Sequence, residues 1–457
     1  MHKITMKDFP HLDFGDVRRD QRFITLLENI GKNPGASIPK QSGDWYNAKA
    51  AYNFFRNERV TLESLQKTIS AYGVSKVKDL EEVLIIHDMS NISFNHLEAE
   101  GLGYLDNKEG RGIMCYTAMA ASVEGLPLAL MYQHTWTRPL EELGKAKNRK
   151  QRSFEDKESF EWHAGMTNVS EGLGESVKKI HIADRGADIY EVFFCGYEPN
   201  TDLLIRAHYN RKLRDGSELW NSVANEQSAG TIMLKIPDEK GRKKVEIEAE
   251  IRYKKVEILR PSRSNDKYES VELTAIEVTQ TGQVSNEEER ICWRLLTTLE
   301  VSSLTDVVKY ITWYTYRWLI ERFHYVLKSG TKIEELQLKD ATSLQKAIAV
   351  YSLAGFKIMQ MVYQSRHYPD VSCEVVLTKA EWIALYIMIN PGKEIPKNPP
   401  GFSQAVQWIA RLGGHLARNS DGPPGLKTVW LGYQRLSDTA TFYETITTMS
   451  EKNLGNG

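Results

Sequence analysis

Two short apolar runs, Val83-Leu-Ile-Ile-His-Asp88 and Ile180-His-Ile-Ala-Asp184, each end in an aspartate. Consecutive rather than alternating apolar residues mark a strand covered on both faces, so both runs read as buried central strands with a carboxylate at the C-terminal end. Arg185 and Gly186 follow Asp184, the glycine easing the turn. Buried strands of this kind, with helical segments later in the chain, place the core in the α/β class with a mixed sheet.

A third segment adds a different constraint. In Tyr314-Thr-Tyr-Arg317-Trp-Leu-Ile-Glu321-Arg-Phe-His-Tyr-Val-Leu-Lys328 the polar residues follow a helical spacing. At about 100° per residue, Arg317, Glu321 and Lys328 fall roughly 60° or less from Tyr314 around one axis. The spacing predicts one helix whose face carries a hydroxyl, two cations and a carboxylate. Alone, that face also describes a solvated helix with salt bridges, and a lone strand-end aspartate is also an ordinary cap. Taken together, Asp88, Asp184 and Glu321 supply three hard oxygen donors of the type that holds Mg²⁺ or Mn²⁺. A pair of such ions activates water on one side of a phosphodiester and stabilises the leaving oxygen on the other.

Length and composition bound the rest. A chain of 457 residues exceeds what one core serves, so two or three domains are expected. Cys115, Cys195, Cys292 and Cys373 lie far apart with no paired spacing, which argues against a zinc site and suits a reducing cytoplasm. The first residues form no apolar leader and no run reaches the length of a membrane span, so the expectation is an unexported protein with no membrane partner. A formal net charge of −1 is unusual for a chain that grips nucleic acid. Basic residues must then be concentrated on one surface.

Two N-terminal helices offer such a concentration. One starts after Gly15-Asp-Val and carries Arg18, Arg19 and Arg22 in its first turns; the other, Asp44 to Asn57, sets Trp45, Tyr46, Tyr52, Phe54 and Phe55 among Lys49, Asn53 and Arg56. Phe54 and Phe55 read as core. From about Val74 to Gln133 the chain reads as strands, with a hairpin turning at Val123-Glu-Gly125. A cationic loop runs from Leu143 to Arg152, either solvated or tracking a phosphate strand. The long interval between Asp184 and Glu321 holds an insert whose segments Thr231 to Ile236, Val245 to Tyr253 and Val271 to Val278 read as strands. After the proline-rich run from Asn390 to Gly401, Gln404 to Arg418 and the Val429-Trp430 stretch read as helical.

These segments resemble, in order, the DDE transposases of bacterial insertion sequences, and most of all the Tn-five branch of the IS-four family. Tyr314, Arg317, Glu321 and Lys328 match its Y-(2)-R-(3)-E-(6)-K signature, and Asp88 and Asp184 match its two catalytic aspartates. Further matches run from Phe14-Gly-Asp-Val-Arg-Arg through Ala51-Tyr-Asn-Phe-Phe-Arg-Asn57, Trp136-Thr-Arg-Pro139 and Ile182-Ala-Asp-Arg-Gly-Ala-Asp188 to Ala410-Arg-Leu-Gly-Gly414.

The resemblance implies three regions. Residues 1–70 would be a helical domain binding transposon-end DNA, and 371–457 a helical dimerisation domain. Between them, 71–370 would be an RNase H-like catalytic domain with an all-β insert at about 207–292. It implies two Mg²⁺ ions, replaceable by Mn²⁺, on Asp88, Asp184 and Glu321. DNA contacts are implied for Arg18, Arg19, Arg22, Lys49, Arg56, Arg185, Arg206, Arg211, Trp293, Tyr314, Arg317 and Lys328, with Arg206 and Trp293 acting on a flipped thymine. Its partners would be double-stranded DNA, both transposon ends and target, and a second protomer in the synaptic complex, with no small-molecule substrate. The implied setting would be the bacterial cytoplasm, at the nucleoid. Gly186, Leu319, Arg322 and Tyr325 depart from the family pattern without removing a metal ligand. The alternative readings are a repair or resolving nuclease of RNase H-like fold and a non-catalytic DNA-binding inhibitor of transposition.

Overall fold

The computed structural model describes residues 5–106, 110–144, 152–237, 244–262, 264, 266–282, 290–418 and 421–454. Four helices come first: α1 (Val17–Lys32), α2 (Ile38–Ser42), α3 (Trp45–Arg56) and α4 (Leu62–Val77). Three of them start at a side chain that accepts a free N–H of the first turn, Asp16 for α1, Asp44 for α3 and Thr61 for α4. Phe23, Leu27 and Ile30 of α1 meet Phe54 and Phe55 of α3 in a shared core, as the sequence predicts for the two phenylalanines. Trp45 and Tyr46 instead stand about three-quarters exposed on the first turn of α3.

Among the described residues ten strands build a single sheet: β1 (Glu82–Ser93), β2 (Gly103–Tyr104), β3 (Arg111–Ala121), β4 (Pro127–Trp136), β5 (Lys178–Ala183), β6 (Thr201–Arg206), β7 (Gly230–Pro237), β8 (Lys244–Leu259), β9 (Ser270–Gln280) and β10 (Cys292–Thr297). Their order is β2-β3-β1-β5-β6-β10-β9-β8-β7, with β4 on the outer side of β3. The three central strands, β1, β5 and β6, are parallel and the other pairings antiparallel. Both faces of the centre are covered. Leu84, Ile86, Ile180, Ile182 and Leu204 point into one core, and Val83, Ile85, Ala183, Leu203 and Ile205 into the other, against helix α5 (Phe160–Leu173). Two-sided burial is why these strands read as unbroken apolar runs.

The strands differ from the sequence expectation in two places. β1 does not stop at Asp88 but continues to Ser93, because β3 pairs with it throughout, from Leu84↔Ala121 to Ser93↔Gly112. The β1–β5 pairing does end near Asp88, at Ile86↔Ile182, and from there β1 changes from buried to half-buried. The insert has its three strands where expected, yet helix α6 (Leu219–Ala224) precedes them, so it is not all β. Through β10 these strands prolong the central sheet.

Helices α7 (Leu304–Thr315) and α8 (Trp318–Tyr325) follow, then a π-helical turn over Val326–Gly330 closed by Thr331 N–H donating to Val326 O at 2.9 Å. The 27-residue helix α9 (Ala341–His367) is buried along most of its length and touches α1, α3, α4, β4 and the π turn. Past it lie α10 (Lys379–Ile389), α11 (Phe402–Leu412) and α12 (Leu426–Leu454). Helical N-terminal region, mixed α/β core and C-terminal helical bundle are the RNase H-like arrangement with flanking helices that the sequence predicts. No helix among the described residues is long and apolar enough to cross a membrane.

One proposed DNA contact turns out to be an internal brace. Arg211 Nη2 lies 2.6 Å from Asp188 Oδ1 and 2.7 Å from Asp188 O, while Asp188 Oδ2 accepts from His208 N and Tyr209 N at 2.6 and 2.8 Å. The aspartate side chain is fully buried, so its charge is compensated inside the fold. Arg211→Ala strands that carboxylate and is expected to lower unfolding free energy by about 3–5 kcal/mol in urea titrations. The folded fraction should keep its affinity for end DNA, whereas a true phosphate contact would lose it.

Candidate active site

The parallel register brings the predicted residues into one row. Ile86 is level with Ile182, and Ile182 with Leu204. Two residues beyond these stand Asp88 within β1, Asp184 in the turn just past β5, and Arg206 at the end of β6. Neighbouring strands lie about 4.8 Å apart, and residues level in a parallel sheet project to the same side. Arg206 is level with Leu295 of β10, which puts Trp293 two residues away on that side. The row faces α7 and α8, since its inward neighbours Ile86, Ile182, Leu204 and Leu295 share a core with Ile311, Tyr314 and Ile320.

From the helical side come the signature residues, though not on one uninterrupted helix. α7 ends at Thr315, and the turn through Tyr316 and Arg317 is tightened by bonds from Tyr316 N to Trp313 O (3.0 Å), Arg317 N to Tyr314 O (3.1 Å) and Ile320 N to Arg317 O (3.2 Å). Each spans three residues, a 3₁₀ step. The ring of Tyr316 lies so close to Gly125 in the β3–β4 turn that a Cβ there would come within 2.7 Å of it. Tyr314 thus lies in the last turn of α7, Arg317 stands in the tight turn, Glu321 is in α8 and Lys328 in the π turn.

Tyr314 is buried beside Trp293, ring centroids 5.6 Å apart and edge-on. Burial pushes its phenol above the usual range, opposed by the charges of Arg317 and Arg206. Arg317 pairs with Glu321. Burial raises the Asp184 carboxyl; its bond from Gly186 N (2.8 Å) works against this, Asp88 adds to it, and Arg317 and Arg206 reduce it. Gly186 earns its place sterically: a Cβ would sit 2.8 Å from the Trp162 ring and 3.0 Å from Asp184 Oδ1. Trp162 fills the space that a side chain at this position would need. Among the described residues no three His, Cys, Asp or Glu side chains converge on a common point suited to an ion, and Glu321 is engaged by Arg317.

His324 escaped the sequence reading. It is buried on α8 one turn after Glu321, with Nδ1 3.5 Å from Asp88 Oδ2 and Nε2 lacking a hydrogen-bond partner. Its spacing of three from Glu321 was the available signal. The N-terminal cations are distributed unevenly. Arg18 is exposed but bonded to Asp16, and Arg22 reaches Asn47 Oδ1 at 3.1 Å, joining α1 to α3. Arg19 Nε is buried without a partner. Lys49 and Arg56 are exposed, lying 5.0 and 5.9 Å from the rings of Trp45 and Tyr52. Arg185 is exposed next to the row, and Lys328 is half-buried. Most of the cationic loop after Glu142, residues 145–151, lies outside the described residues.

Residues 1–60 match the family described as transposase DNA-binding, and residues 353–451 match the one described as transposase Tn5 dimerisation domain. At both ends, therefore, the chain matches transposase domains, the C-terminal one of the Tn5 type. The dimerisation match begins inside α9 and runs through α10 and α11 into α12. A cryo-EM structure of a piggyBac transposase synaptic complex with hairpin DNA aligns with a TM-score of 0.36 at 9% identity, covering 77% of this chain and 66% of that one. A likeness so weak carries no argument.

Burial holds the Asp184 carboxyl above its ordinary range, so its charged form is disfavoured inside the fold. With its pKa raised, Asp184 favours the folded state while protonated, and that contribution is lost as pH rises from the unfolded pKa through the folded one. Asp184→Asn should accordingly raise the thermal midpoint of metal-free protein at pH 7, and the gain over wild type should shrink as the pH is lowered toward the ordinary aspartate range. An unchanged midpoint at pH 7 would mean that the carboxylate is not strained.

Proposed function

We propose that the protein is a cut-and-paste DNA transposase. The row formed by Asp88 within β1, Asp184 just past β5 and Arg206 at the end of β6, faced by Tyr314, Arg317 and Glu321, carries the reading. Carboxylates that repel one another beside a short helix suit divalent cations, and Mg²⁺ or Mn²⁺ fits the all-oxygen donor set. Asp88, Asp184 and Glu321 would hold the ions, Glu321 exchanging its bond to Arg317 for this role. Bound ions would supply charge stabilisation and an acidified water.

The chain's own residues grip and orient the phosphodiester. Arg317, released from Glu321, and Arg206 face its oxygens, and Tyr314 donates its phenol proton to one of them. Lys328 adds charge from the π turn. Trp293, held edge-on by Tyr314, offers a ring on which an unstacked base rests. In the first step water attacks the phosphorus and frees a 3′ hydroxyl. That hydroxyl attacks the opposite strand, releasing the flanking DNA and leaving a hairpin. Water reopens the hairpin, and the regenerated 3′ hydroxyl attacks target DNA. Every step exchanges one oxygen for another on phosphorus, so one site serves all four.

End recognition falls to α1 and α3, where Arg18, Lys49, Arg56, Trp45 and Tyr46 are exposed. Assembly falls to the C-terminal helices. On α12, Phe442, Ile446 and Met449 are 66%, 50% and 60% exposed at spacings that form one stripe. Such a stripe suits a second copy of the chain.

Replacing Asp88, Asp184 or Glu321 with alanine should reduce Mg²⁺-dependent nicking of end DNA by on the order of a thousandfold while leaving end binding intact. Nicking near the wild-type rate would remove that residue from the site. For assembly, Phe442→Ala, Ile446→Ala and Met449→Ala together should yield a protein that sediments as a monomer with DNA, binds single ends and fails to make double-strand cuts. A triad-dead protomer with intact end reading should be complemented by a triad-intact protomer lacking Lys49 and Arg56. Double-strand cleavage by a proven monomer would exclude a requirement for pairing.

A further inference from the structure

Behind the two aspartates, on the opposite face of the sheet, four buried side chains form a continuous hydrogen-bonded chain. Tyr116 Oη is 2.8 Å from His87 Nδ1, His87 Nε2 is 2.7 Å from His181 Nδ1, and Ser170 Oγ is 3.0 Å from His181 Nε2. Tyr116, His87 and His181 have no exposed surface, and Ser170 is 6% exposed. Burial keeps both imidazoles neutral, His181 being pushed down to about 3.

A neutral imidazole has one N–H and one bare nitrogen, so each ring donates on one side and accepts on the other. The chain therefore runs in one direction from end to end, with every nitrogen engaged. It joins four elements, β3 through Tyr116, β1 through His87, β5 through His181 and α5 through Ser170. Close approach of α5 is permitted by Gly165, where a Cβ would come within 2.1 Å of the Tyr116 ring.

Its position along the strands is the decisive point. The last level pair of the β1–β5 ladder is Ile86↔Ile182, and Asp184 already belongs to the following turn. His87 lies beyond that pair and reaches diagonally back to His181. The imidazole bond thus ties β1 to β5 where the ladder has ended and immediately before Asp88. Nothing about stability calls for four polar groups in this layer, whose neighbours are Val83, Ile85, Ala118 and Met166. A fully satisfied network does, however, fix geometry more narrowly than apolar packing.

We propose that Tyr116, His87, His181 and Ser170 are positioning residues that set the separation of Asp88 and Asp184, and through it their joint affinity for a divalent cation. The proposal rests on the assignment of Asp88 and Asp184 as cation ligands made above. Its test uses full-length protein and Mn²⁺, with binding read from the loss of the free-ion signal in electron paramagnetic resonance and folding read from the thermal midpoint. His181→Leu should weaken Mn²⁺ binding roughly tenfold, as outer partners of ligands do. The Mg²⁺ concentration giving half-maximal nicking should rise by the same factor, and the maximal rate should return at high Mg²⁺. His181→Gln, which again offers an acceptor and a donor, should recover most of the affinity. Should His181→Leu fail to fold, Tyr116→Phe removes a single hydroxyl and should show a smaller weakening in the same direction. Wild-type Mn²⁺ affinity in a folded His181→Leu protein, or in Tyr116→Phe where the former does not fold, overturns the proposal. Asp184→Asn is the control. If wild type and Asp184→Asn bind Mn²⁺ alike, the cation-site assignment itself fails and this inference with it; if only the chain variants behave as wild type, the assignment stands and this inference alone falls.

Discussion

The parallel register of β1, β5 and β6 governs everything else in the molecule. Fixing Ile86 against Ile182 and Ile182 against Leu204 fixes which residues stand level two positions later. A slip of one residue on any of the three strands would turn its polar end residue to the opposite face. What prevents the slip is burial on both sides. Each strand sends alternate apolar side chains into two different cores, and any shift of register mismatches both.

The strands were legible because two-sided burial writes itself as an apolar run, and α1 and α3 were legible from their mixed apolar and cationic patterns, whereas α4 was not read. The continuation of β1 past Asp88 was hidden, because Met89, Ser90 and Asn91 have no apolar pattern and continue the strand by pairing with β3. The break after Thr315 was hidden too. Neither glycine nor proline stands there, and the tightening accompanies a long-range contact between Tyr316 and Gly125. Arg211 read as a surface cation because its partner Asp188, although close in space, reads as part of a turn motif. In the site, the strand ends and the signature residues were identifiable by type and spacing, whereas His324 was not separable from an ordinary core histidine.

Charge illustrates the same difference between sequence and space. With 59 basic and 60 acidic residues the chain is nearly neutral, yet its cations do different work. Arg211 and Arg138 are braced by carboxylates within the fold, Arg138 between Asp106 and Glu158. Lys49, Arg56 and Arg185 remain outward. A whole-chain total averages these populations and conceals the second, which is the one a phosphate backbone meets.

Helix α9 has a mechanical consequence. At ~1.5 Å per residue it is a rod of about 40 Å, sheathed in side chains along most of its length. Gly355 on it lies against Thr331 and Val326, so the turn that carries Lys328 rests directly on the rod. Farther along, the same rod touches α11 and α12, and on another side α1, α3 and α4. A close-packed rod transmits displacement with little compression. Load placed on the C-terminal bundle is therefore delivered, within one stiff body, both to the cation beside the strand ends and to the helices at the opposite end of the chain.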